Sequence, residues 1–576
     1  MVTIKDGILK KVLIIFFLCF SWSIGWAGSK IIPTLPGKIS NSAEQVRGTS
    51  HYAAFSTAAA AGMKHLVIDK SETLPSGTIT VTSELTCKKG AILSFDSTRT
   101  TLHINGQFNA QLAQCFNDTA ASPDYTKGVQ GLKEVYVQWW GAKGDGVADD
   151  TLRIQSAENI VFRAGGGIVH VPSGHYIIKH PVRVHDNVQL VGEGYSSWIE
   201  NIATSGFDKC TIITGNIGDI SNHNGMYGEP RYGVNAIAAG GTTVTFVNRA
   251  DSNNFVVGDI VAIMSYEKWP VPYPENTPKY INLNIVVAKS LGTVTLKHAL
   301  PDAYPSSPGN PQIARMSGTV KGYDGQPLWM AKKASVRNLR LTQVTGGTSG
   351  WYDLYAHGVE NVYENIWMDN ASTMIGSNAL SYSTVRNVSG RFEAGFLDFA
   401  DFQNNNQYEN ISGTRFAKNT RLNILGASFH SGTDLYVKNL RADLGDGGYV
   451  AFYHVHRGVF DHPEVLNSSN FCVVTGFGND IEVYGAEING CDHEGIYIAG
   501  ERHRIHDNKI VNEGRAGTFY CIFITSAVKE YNIYNNICGI DGRRSNKDNI
   551  VQRFGFSKSG KIKNNVTYDA ENGAVK

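Results

Sequence analysis

The segment WWGAKGDGVADDT, residues 139–151, constrains the fold of this chain more than any other. Its last two aspartates come directly before a helical pattern in which Ile154, Ala157 and Val161 share one face. The glycine run Gly165–Gly167 predicts the end of that helix. We expect the aspartates to satisfy free amides of the first helical turn rather than to carry chemistry.

Short strands follow the predicted helix. IVHVPSGHYII alternates apolar and polar residues around a Pro-Ser-Gly turn, and NVQLVGEG begins a further strand. This order, over residues 135–194, resembles the entry to the pectate-lyase superfamily of right-handed parallel β-helices, which includes phage tailspikes and bacterial polysaccharide depolymerases. The resemblance implies an all-β fold, a right-handed single-stranded parallel β-helix with an N-terminal capping α-helix. It points strongly to the fold and only weakly to any one reaction.

Dipeptides of a polar residue, mostly asparagine, followed by Ile, Val or Leu recur beyond residue 318. They extend the predicted β-helix to the C-terminal part of the chain. Neighbouring members are mostly 22 to 29 residues apart, the range expected for one coil of a solenoid. We expect the asparagines to stack as a hydrogen-bonded ladder while the next residue points into the core. The dipeptides are Asn365-Ile366, Asn387-Val388, Asn410-Ile411, Asn439-Leu440, Lys509-Ile510, Asn536-Ile537 and Asn565-Val566.

The repeat fails between residues 222 and 315, where two alternating stretches predict antiparallel strands inserted into one coil. A Pro- and aromatic-rich loop joins them. Its Trp269, Tyr273 and Tyr280 are candidates to bind a sugar, or only to pin the loop to the body, and the sequence leaves both open. The predicted organisation is a signal peptide 1–27, an irregular lead-in 28–65, an N-terminal β region 66–134, the capping helix and first coils 135–221, an inserted β subdomain 222–316 and further coils 317–576.

Composition and charge narrow the class of protein. The chain has 61 glycines, 26 tyrosines and only 18% charged residues, which favours a β-rich extracellular protein. A net charge of +1 provides no global field to recruit nucleic acid or an anionic membrane. Three lysines precede an apolar run, residues 12–20, that is too short to span a bilayer, and small residues follow it. We therefore predict a signal peptide and a secreted or periplasmic protein.

Removal of that signal peptide leaves seven widely spaced cysteines, an odd number. We expect them to be small buried apolar side chains, with the disulfides Cys87–Cys115 and Cys491–Cys521 as alternatives. No CxxC pair or Cys-His cluster at zinc spacing occurs, so the sequence predicts no metal site. If the protein were a lyase, Ca²⁺ would remain open as a cofactor.

The segment RFEAGFLDFADF holds the first candidate active site. Asp398 and Asp401 lie among four phenylalanines, whose desolvation would raise the pKa of one carboxyl while the other stays ionised, as glycoside hydrolysis requires. Glu393 has a supporting role in this hypothesis. Acidic residues three apart on a β-helix strand also resemble the active sites of some hydrolytic tailspikes and polygalacturonases, although the Gly-His-Gly and Arg-x-Lys parts of the polygalacturonase pattern are missing. Hydrolysis of a polysaccharide is our first hypothesis.

Basic residues near this segment suggest an acidic substrate. NVSGRF and NISGTRF align in the sequence, which predicts that Arg391 and Arg415 lie side by side on adjacent coils. Two arginines so close need an anion between them, either Glu393 in a structural ion pair or the carboxylate of a uronic-acid substrate. Lys418 and Arg421 continue this predicted substrate-binding patch.

A second candidate site lies in DLGDGGYVAFYHVHRG. Polysaccharide lyases and C5-epimerases need a base beside the uronate and a cation on its carboxylate, and Tyr453, His454, His456 and Arg457 supply those types. Strand alternation predicts both histidines on one face and the tyrosine and arginine on the other. A further hypothesis is a non-catalytic carbohydrate-binding or exopolysaccharide-assembly protein. Because tailspikes trimerise, the resemblance also leaves a homotrimer open.

Overall fold

A computed structural model of the chain shows a column of parallel β-strands. The chain divides into two units, Met1–Val46 and Arg47–Lys576, and the column belongs to the second. The predicted signal peptide and most of the predicted lead-in lie outside the described residues. The structure describes residues 46–47, 55, 59, 65–118, 127–204, 206–216, 230–266, 280–316, 329–344, 352–416, 426–445, 447–511, 520–525, 528–540, 550–552 and 560–569.

Three short parallel sheets precede the column. In each, a strand pairs in parallel with its counterpart further along the chain, as the coils of a solenoid do. Leu66 and Leu85, for example, align in one sheet and are both buried. The strands are His65–Ile68, Glu84–Cys87 and Phe108–Ala110; Gly77–Val81, Thr100–Ile104 and Gly128–Gln130; and Glu72–Thr73, Leu93–Phe95 and Phe116–Asp118.

The predicted helix is confirmed as α1, Thr151–Arg163, and the three apolar residues of its predicted face are fully buried. Asp150 just before it accepts hydrogen bonds from the backbone N–H groups of Lys143 (2.8 Å) and Gly144 (2.9 Å). Its carboxylate therefore fixes the incoming loop, as a structural residue would. Short 3₁₀ turns are Val137–Trp140, Gly206–Lys209 and Arg249–Asn254. Within the described part of the chain, no helix is both long and apolar enough to cross a membrane.

Within the described residues the column contains 31 strands, and nearly all of its pairings are parallel and link successive coils. Several long strands bend at a corner and so contribute to two sheets. The strands are Glu134–Tyr136, Asp145–Asp149, Gly167–Val171, Gly174–Ile178, Val182–Val184, Val188–Gly192, Ser197–Asn201, Ile212–Asn216, Trp329–Lys332, Ser335–Gln343, Tyr352–Tyr355, Gly358–Val359, Val362–Ser381, Thr384–Asn404, Gln407–Arg415, Ala427–His430, Gly432–Asp443, Val450–Tyr453, His456–Asp461, Glu464–Ser468, Val473–Asn479, Glu482–Tyr484, Glu487–Cys491, Ile496–His506, Lys509–Val511, Ile522–Ile524, Lys529–Tyr534, Ile537–Ile540, Ile550–Gln552, Lys561–Lys563 and Val566–Asp569.

Three faces of the column are distinguished by the apolar ladders that line them from inside, since inward side chains stack from coil to coil. Face 1 is lined by Val336, Tyr363, Val385, Tyr408, Val437, Phe460, Val483 and Ile505. Face 2 is lined by Leu339, Ile366, Val388, Ile411 and Leu440. Face 3 is lined by Leu354, Ile375, Leu397, Ala427, Val450, Val473, Ile496 and Ile522. All of these residues are buried, so the core runs the length of the column.

The predicted asparagine ladder forms the corner between faces 1 and 2. Each side-chain amide donates to the amide oxygen of the preceding coil, at 3.0 Å from Asn387 to Asn365 and 3.0 Å from Asn410 to Asn387. These asparagines have positive φ, as the turn between two sheets requires. The ladder is confirmed for Asn365, Asn387, Asn410 and Asn439, and Asn338 on the preceding coil extends it.

The last predicted members of that ladder were misplaced by one residue. Asn536 and Asn565 instead belong to a second ladder with Asn508, in which Asn508 donates to Asn536 at 2.9 Å and Asn536 donates to Asn565 at 2.8 Å. The left-handed corner in these coils is occupied by the preceding residues, such as Asn535. One extra asparagine in the repeat therefore shifted the alignment.

The inserted subdomain is a six-stranded antiparallel sheet. Its face bearing Met264 and Leu283 packs on Val359 and Ala379 of the column. The sheet lies between strands Ile212–Asn216 and Trp329–Lys332, and Ile212 nevertheless pairs with Leu354 of the next coil, so the column continues across the insertion. The strands are Arg231–Gly233, Thr243–Thr245, Ile260–Ser265, Tyr280–Ser290, Thr293–Leu296 and Gln312–Arg315.

The expectation that the cysteines are only buried apolar side chains is wrong for four of them. Disulfides join Cys472 to Cys491 and Cys521 to Cys538. The alternative pairing Cys491–Cys521 is therefore wrong too, because each of the two cysteines bonds to another partner. Cys87 and Cys115 are buried and unbonded to each other. The bonded pairs connect neighbouring coils at one corner, where sequence spacing alone does not identify the partner.

Candidate active site

Asp398 lies on the outer surface of face 3. In strand Thr384–Asn404 its neighbours Leu397 and Phe399 are fully buried, whereas Asp398 is half-buried, so its carboxylate points away from the core. Phe399 stacks on Phe429 inside the column at 5.4 Å. The expected phenylalanine surroundings of Asp398 are therefore wrong, because strand alternation turns at least Phe399 inward.

A tyrosine from an earlier coil holds the Asp398 carboxylate. The hydroxyl of Tyr352 donates a hydrogen bond of 2.6 Å to Oδ2 of Asp398. Between them in the stack lies Gly376, and a Cβ atom there would be 2.3 Å from the Tyr352 ring. The ring thus lies flat over the glycine, and only glycine at this position allows the tyrosine to reach Asp398.

His430 lies one coil beyond Asp398 on the same face. Burial lowers the pKa of His430, and the nearby Asp398 carboxylate acts in the opposite direction. Because burial has the larger effect, the imidazole is neutral at neutral pH. A neutral imidazole can accept a proton, and the adjacent carboxylate would stabilise the cation that results.

Tyr453 follows on the next coil and stacks on His430, with ring centroids 5.0 Å apart. Burial raises the pKa of Tyr453, and its hydrogen bond with Tyr449 raises it further. Its phenol therefore stays protonated and is a proton donor. Asp398, His430 and Tyr453 form a row along face 3, so residues from the two separately predicted sites come together here.

The other predicted carboxylates are not placed beside Asp398 by any described contact. The contact described for Glu393 is through its backbone carbonyl, which accepts a hydrogen bond of 3.1 Å from Nε of Arg415. The backbone of Asp401 continues the strand, but its side chain lies outside the described residues. Catalytic roles for Glu393 and Asp401 stay predictions.

The predicted single-strand arrangement of residues 453–457 is wrong. His454 and Arg457 both have positive φ, so the chain turns two corners where a straight strand was expected. Burial lowers the pKa of His454 to about 4, and His456 is buried as well. Neither histidine shares an exposed face with Tyr453.

Arg457 is held by two carboxylates. It forms ion pairs with Asp434 (2.6 Å) on the preceding coil and with Asp302 (2.8 Å) of the inserted subdomain. Its guanidinium therefore ties the subdomain to the column. This contact gives Arg457 a structural role.

The predicted pairing of Arg391 with Arg415 is also wrong. In the parallel register Arg391 lies beside Thr414, and Arg415 beside Phe392, because NISGTRF carries one more residue than NVSGRF. Arg415 is buried, whereas Arg391 is exposed with its guanidinium 5.3 Å from the Phe416 ring. The predicted binding residues Lys418, Arg421, Trp269 and Tyr273 lie outside the described residues. The backbone of Tyr280 is described, but its side chain is not.

Sequence reasoning missed Tyr352, His430 and Tyr449. Each lies on a coil other than that of Asp398, so finding them needs the register between coils of unequal length. The small residues Gly376 and Ser428, which flank Asp398 in its ladder, were the available signal that side chains of neighbouring coils have room beside it. Among the described residues, no group of three or more His, Cys, Asp or Glu side chains is arranged to hold a metal ion.

Comparison with known proteins agrees with this architecture. Residues 135–263 match the family described as Rhamnogalacturonase A/epimerase, pectate lyase-like. The chain is a right-handed parallel β-helix, and this segment of it is similar to pectate lyase-like proteins. The match covers the capping helix, the first coils and part of the inserted subdomain of this β-helix protein, and not the row around Asp398.

Curated relatives of the β-helix protein match over short stretches. Alginate lyase 7 of Azotobacter vinelandii is 37% identical over 87 residues, which cover 14% of this chain and 10% of the relative. Mannuronan C5-epimerase AlgE6 of the same organism is 33% identical over 98 residues, covering 16% and 11%. The chain thus spans about a tenth of the length of these relatives. Among solved structures, the tailspike protein gp49 from Pseudomonas phage LKA1 has a TM-score of 0.45 and 12% identity, with 76% of this chain and 79% of that chain covered.

Proposed function

We propose that this β-helix protein acts on a polysaccharide of uronic acids and removes the proton at C5 of a uronate bound on face 3. The row of Asp398, His430 and Tyr453 carries the proposal. It offers a neutral imidazole to accept a proton, a carboxylate beside it and a protonated phenol to return one. The short matches to an alginate lyase and to mannuronan C5-epimerases support the same class of substrate.

In this mechanism the C5–H bond breaks and its proton moves to His430, whose positive charge Asp398 stabilises. In an elimination, the electron pair forms a C4–C5 double bond, the C4–O bond breaks, and Tyr453 protonates the departing oxygen. In an epimerisation, the Tyr453 phenol instead gives its proton to C5 on the side opposite the one that lost it, and the chain stays intact. The uronate carboxylate needs a cation as negative charge develops, and we assign that role to the exposed Arg391.

Hydrolysis, our first hypothesis from the sequence, needs a second carboxylate at about 5 to 9.5 Å from the first. Asp398 accepts a hydrogen bond from Tyr352 and acts electrostatically on His430, which stacks on Tyr453. An imidazole and a phenol on the same face as this carboxylate favour proton abstraction. If new reducing ends appear without unsaturated sugar, the protein is a hydrolase, and Asp398 and Asp401 are its candidate acids.

We also propose that the protein is exported. The two disulfides support this, because such bonds persist in oxidising compartments and are rare in the cytosol. They agree with the signal peptide predicted at residues 1–27. Cleavage at that site, measured by mass spectrometry of the mature protein, is the direct check.

The proposed reaction is tested with polymannuronate and polygalacturonate as probes. We expect ultraviolet absorbance from unsaturated ends, or exchange of the C5 hydrogen with solvent deuterium if the protein is an epimerase. Asp398→Asn and His430→Gln should each reduce the rate about 100-fold or more, the usual contribution of acid–base residues. Asp443→Asn, a half-buried carboxylate in a strand of face 2, is the matched control and should keep the rate.

Two results would contradict the proposal. Full activity in Asp398→Asn would show that the chemistry lies elsewhere. Binding of polymer with no change in bonds or isotopes after long incubation would favour the non-catalytic carbohydrate-binding protein.

A further inference from the structure

Beyond Tyr453, aromatic side chains continue along face 3 over the next coils. We call Phe471, Tyr497, Tyr520 and Phe523 the aromatic strip. The ring centroids of Phe471 and Tyr497 are 4.7 Å apart, those of Tyr497 and Phe523 5.6 Å, and those of Tyr520 and Phe523 5.9 Å. All four are half-buried, so each exposes part of its ring. The strip therefore forms one continuous apolar surface.

The strip is continuous with the candidate active site. Tyr453 leans over Gly476 of the next coil, where a Cβ atom would be 2.3 Å from its ring. Tyr497 lies on the coil after Gly476, in register with Val474. From His430 to Phe523 the row crosses four coil spacings, about 19 Å at the usual separation of strands.

The strip is held by covalent bonds at its edge. Phe471 immediately precedes Cys472, and Tyr520 immediately precedes Cys521. Each of these cysteines is bonded to the next coil, through Cys491 and Cys538. The segments that carry the two outer rings are therefore fixed before any ligand arrives, which lowers the entropic cost of binding.

At these coils, the outward side chains of the other two faces include charged groups. On face 2 the outward ladder is charged, with Glu464, Glu487 and Lys509 in register. Face 1 also carries rings, but there His506 is bound by Glu482 and by Asp507 in a charged network. An aromatic surface next to a catalytic row suits the C–H faces of sugar rings, whose hydroxyl groups point to its edges.

We infer that the aromatic strip binds the sugar residues of an acidic polysaccharide that extends from the Asp398 row along the column axis. This inference rests on the proposed function and names the surface that would select long polymers. Because the rings cross successive coils, the polymer lies parallel to the column. Short oligosaccharides that fill only the row around Asp398 would not touch the strip.

The test compares long and short substrates. Tyr497→Ala with Phe523→Ala should raise KM for polymannuronate about tenfold, as loss of a central aromatic contact does, while kcat is kept. KM for a mannuronate trisaccharide, which fills only the row around Asp398, should not change. Tyr497→Phe keeps the ring and should behave as the unmodified protein, which separates loss of the ring from loss of the hydroxyl.

Tyr534→Ala is the matched control, since Tyr534 is a half-buried tyrosine on face 1 that stacks on His506 at 4.6 Å. Polymer binding measured in the Asp398→Asn background gives a readout that does not need catalysis. The inference is overturned if Tyr534→Ala raises KM for the polymer as much as the double variant does. It is also overturned if the double variant raises KM for the trisaccharide equally, or if it binds the polymer as the unmodified protein does. If the unmodified protein binds neither polymannuronate nor polygalacturonate, the proposed function fails as well; if it binds and turns over polymer, only the strip fails.

Discussion

At the scale of single residues, two glycines determine how the tyrosines of the candidate site lie. Gly376 is beneath the Tyr352 ring and Gly476 beneath the Tyr453 ring, and a Cβ at either position would approach the ring to 2.3 Å. Neither glycine has a positive φ, so both are required for space rather than for backbone conformation. The missing side chains leave room for the two aromatic rings to pack over the backbone of a neighbouring coil.

Gly476→Ala should therefore displace Tyr453 while the column stays folded, because the contact to be relieved is with a side chain that can rotate. We expect activity on polymannuronate to fall by about tenfold or more with little change in thermal unfolding. Gly233→Ala in the inserted subdomain is the control, since its nearest neighbour would be 3.7 Å away. Unchanged activity in Gly476→Ala would mean that the position of Tyr453 does not matter to the reaction.

Single residues also show which parts of the candidate site could be predicted from the sequence. Strand alternation is enough to turn Asp398 outward and Phe399 inward, yet the expectation of a phenylalanine cage treated all neighbours alike. Tyr352 and His430 could not be predicted, because their places depend on the register of coils that differ in length. Thr414 alone was enough to separate Arg391 from Arg415.

At the scale of elements, the asparagine ladder is the strongest link between sequence and fold. Asn387 donates to Asn365 and accepts from Asn410, both at 3.0 Å, with a φ of 53°. A repeated asparagine predicts such a corner because this residue adopts the left-handed conformation at low cost and also bonds along the stack. The disulfides had no comparable signal, since their partners lie 19 and 17 residues apart without a repeated pattern.

Asn387→Ala should lower the free energy of unfolding by about 2 kcal/mol, from the loss of two hydrogen bonds and from strain at a positive φ. Asn387→Gly relieves that strain and should cost less, so the difference between the two variants separates backbone strain from hydrogen bonding. Urea unfolding followed by circular dichroism is the measurement. An Asn387→Ala protein as stable as the unmodified one would show that the ladder contributes nothing to stability.

At the scale of the whole molecule, burial in one long core makes several histidines sensitive to acid. Burial lowers the pKa of His357 to about 3 and of His503 to about 4, from 6.5. His503 is held as the neutral form, since Nδ1 accepts a hydrogen bond from the backbone N–H of Ile481 (3.3 Å) and Nε2 donates to the carbonyl of Ala499 (3.1 Å). A proton on Nδ1 would break the first of these bonds.

These lowered pKa values predict a loss of stability in acid. Below pH 6.5 the unfolded chain binds protons that the folded chain excludes. Stability is therefore full above that pH and falls until the pH reaches the folded pKa values of about 3 to about 4. His503→Gln removes one titrating group, and its unfolding temperature should fall less between pH 6.5 and pH 4 than that of the unmodified protein. His180→Gln, with a side chain 66% exposed, should follow the unmodified curve. If the unfolding temperature of His503→Gln falls with pH as that of the unmodified protein does, protonation of this buried ring does not drive the acid transition. Protonation of carboxylates would then be its cause.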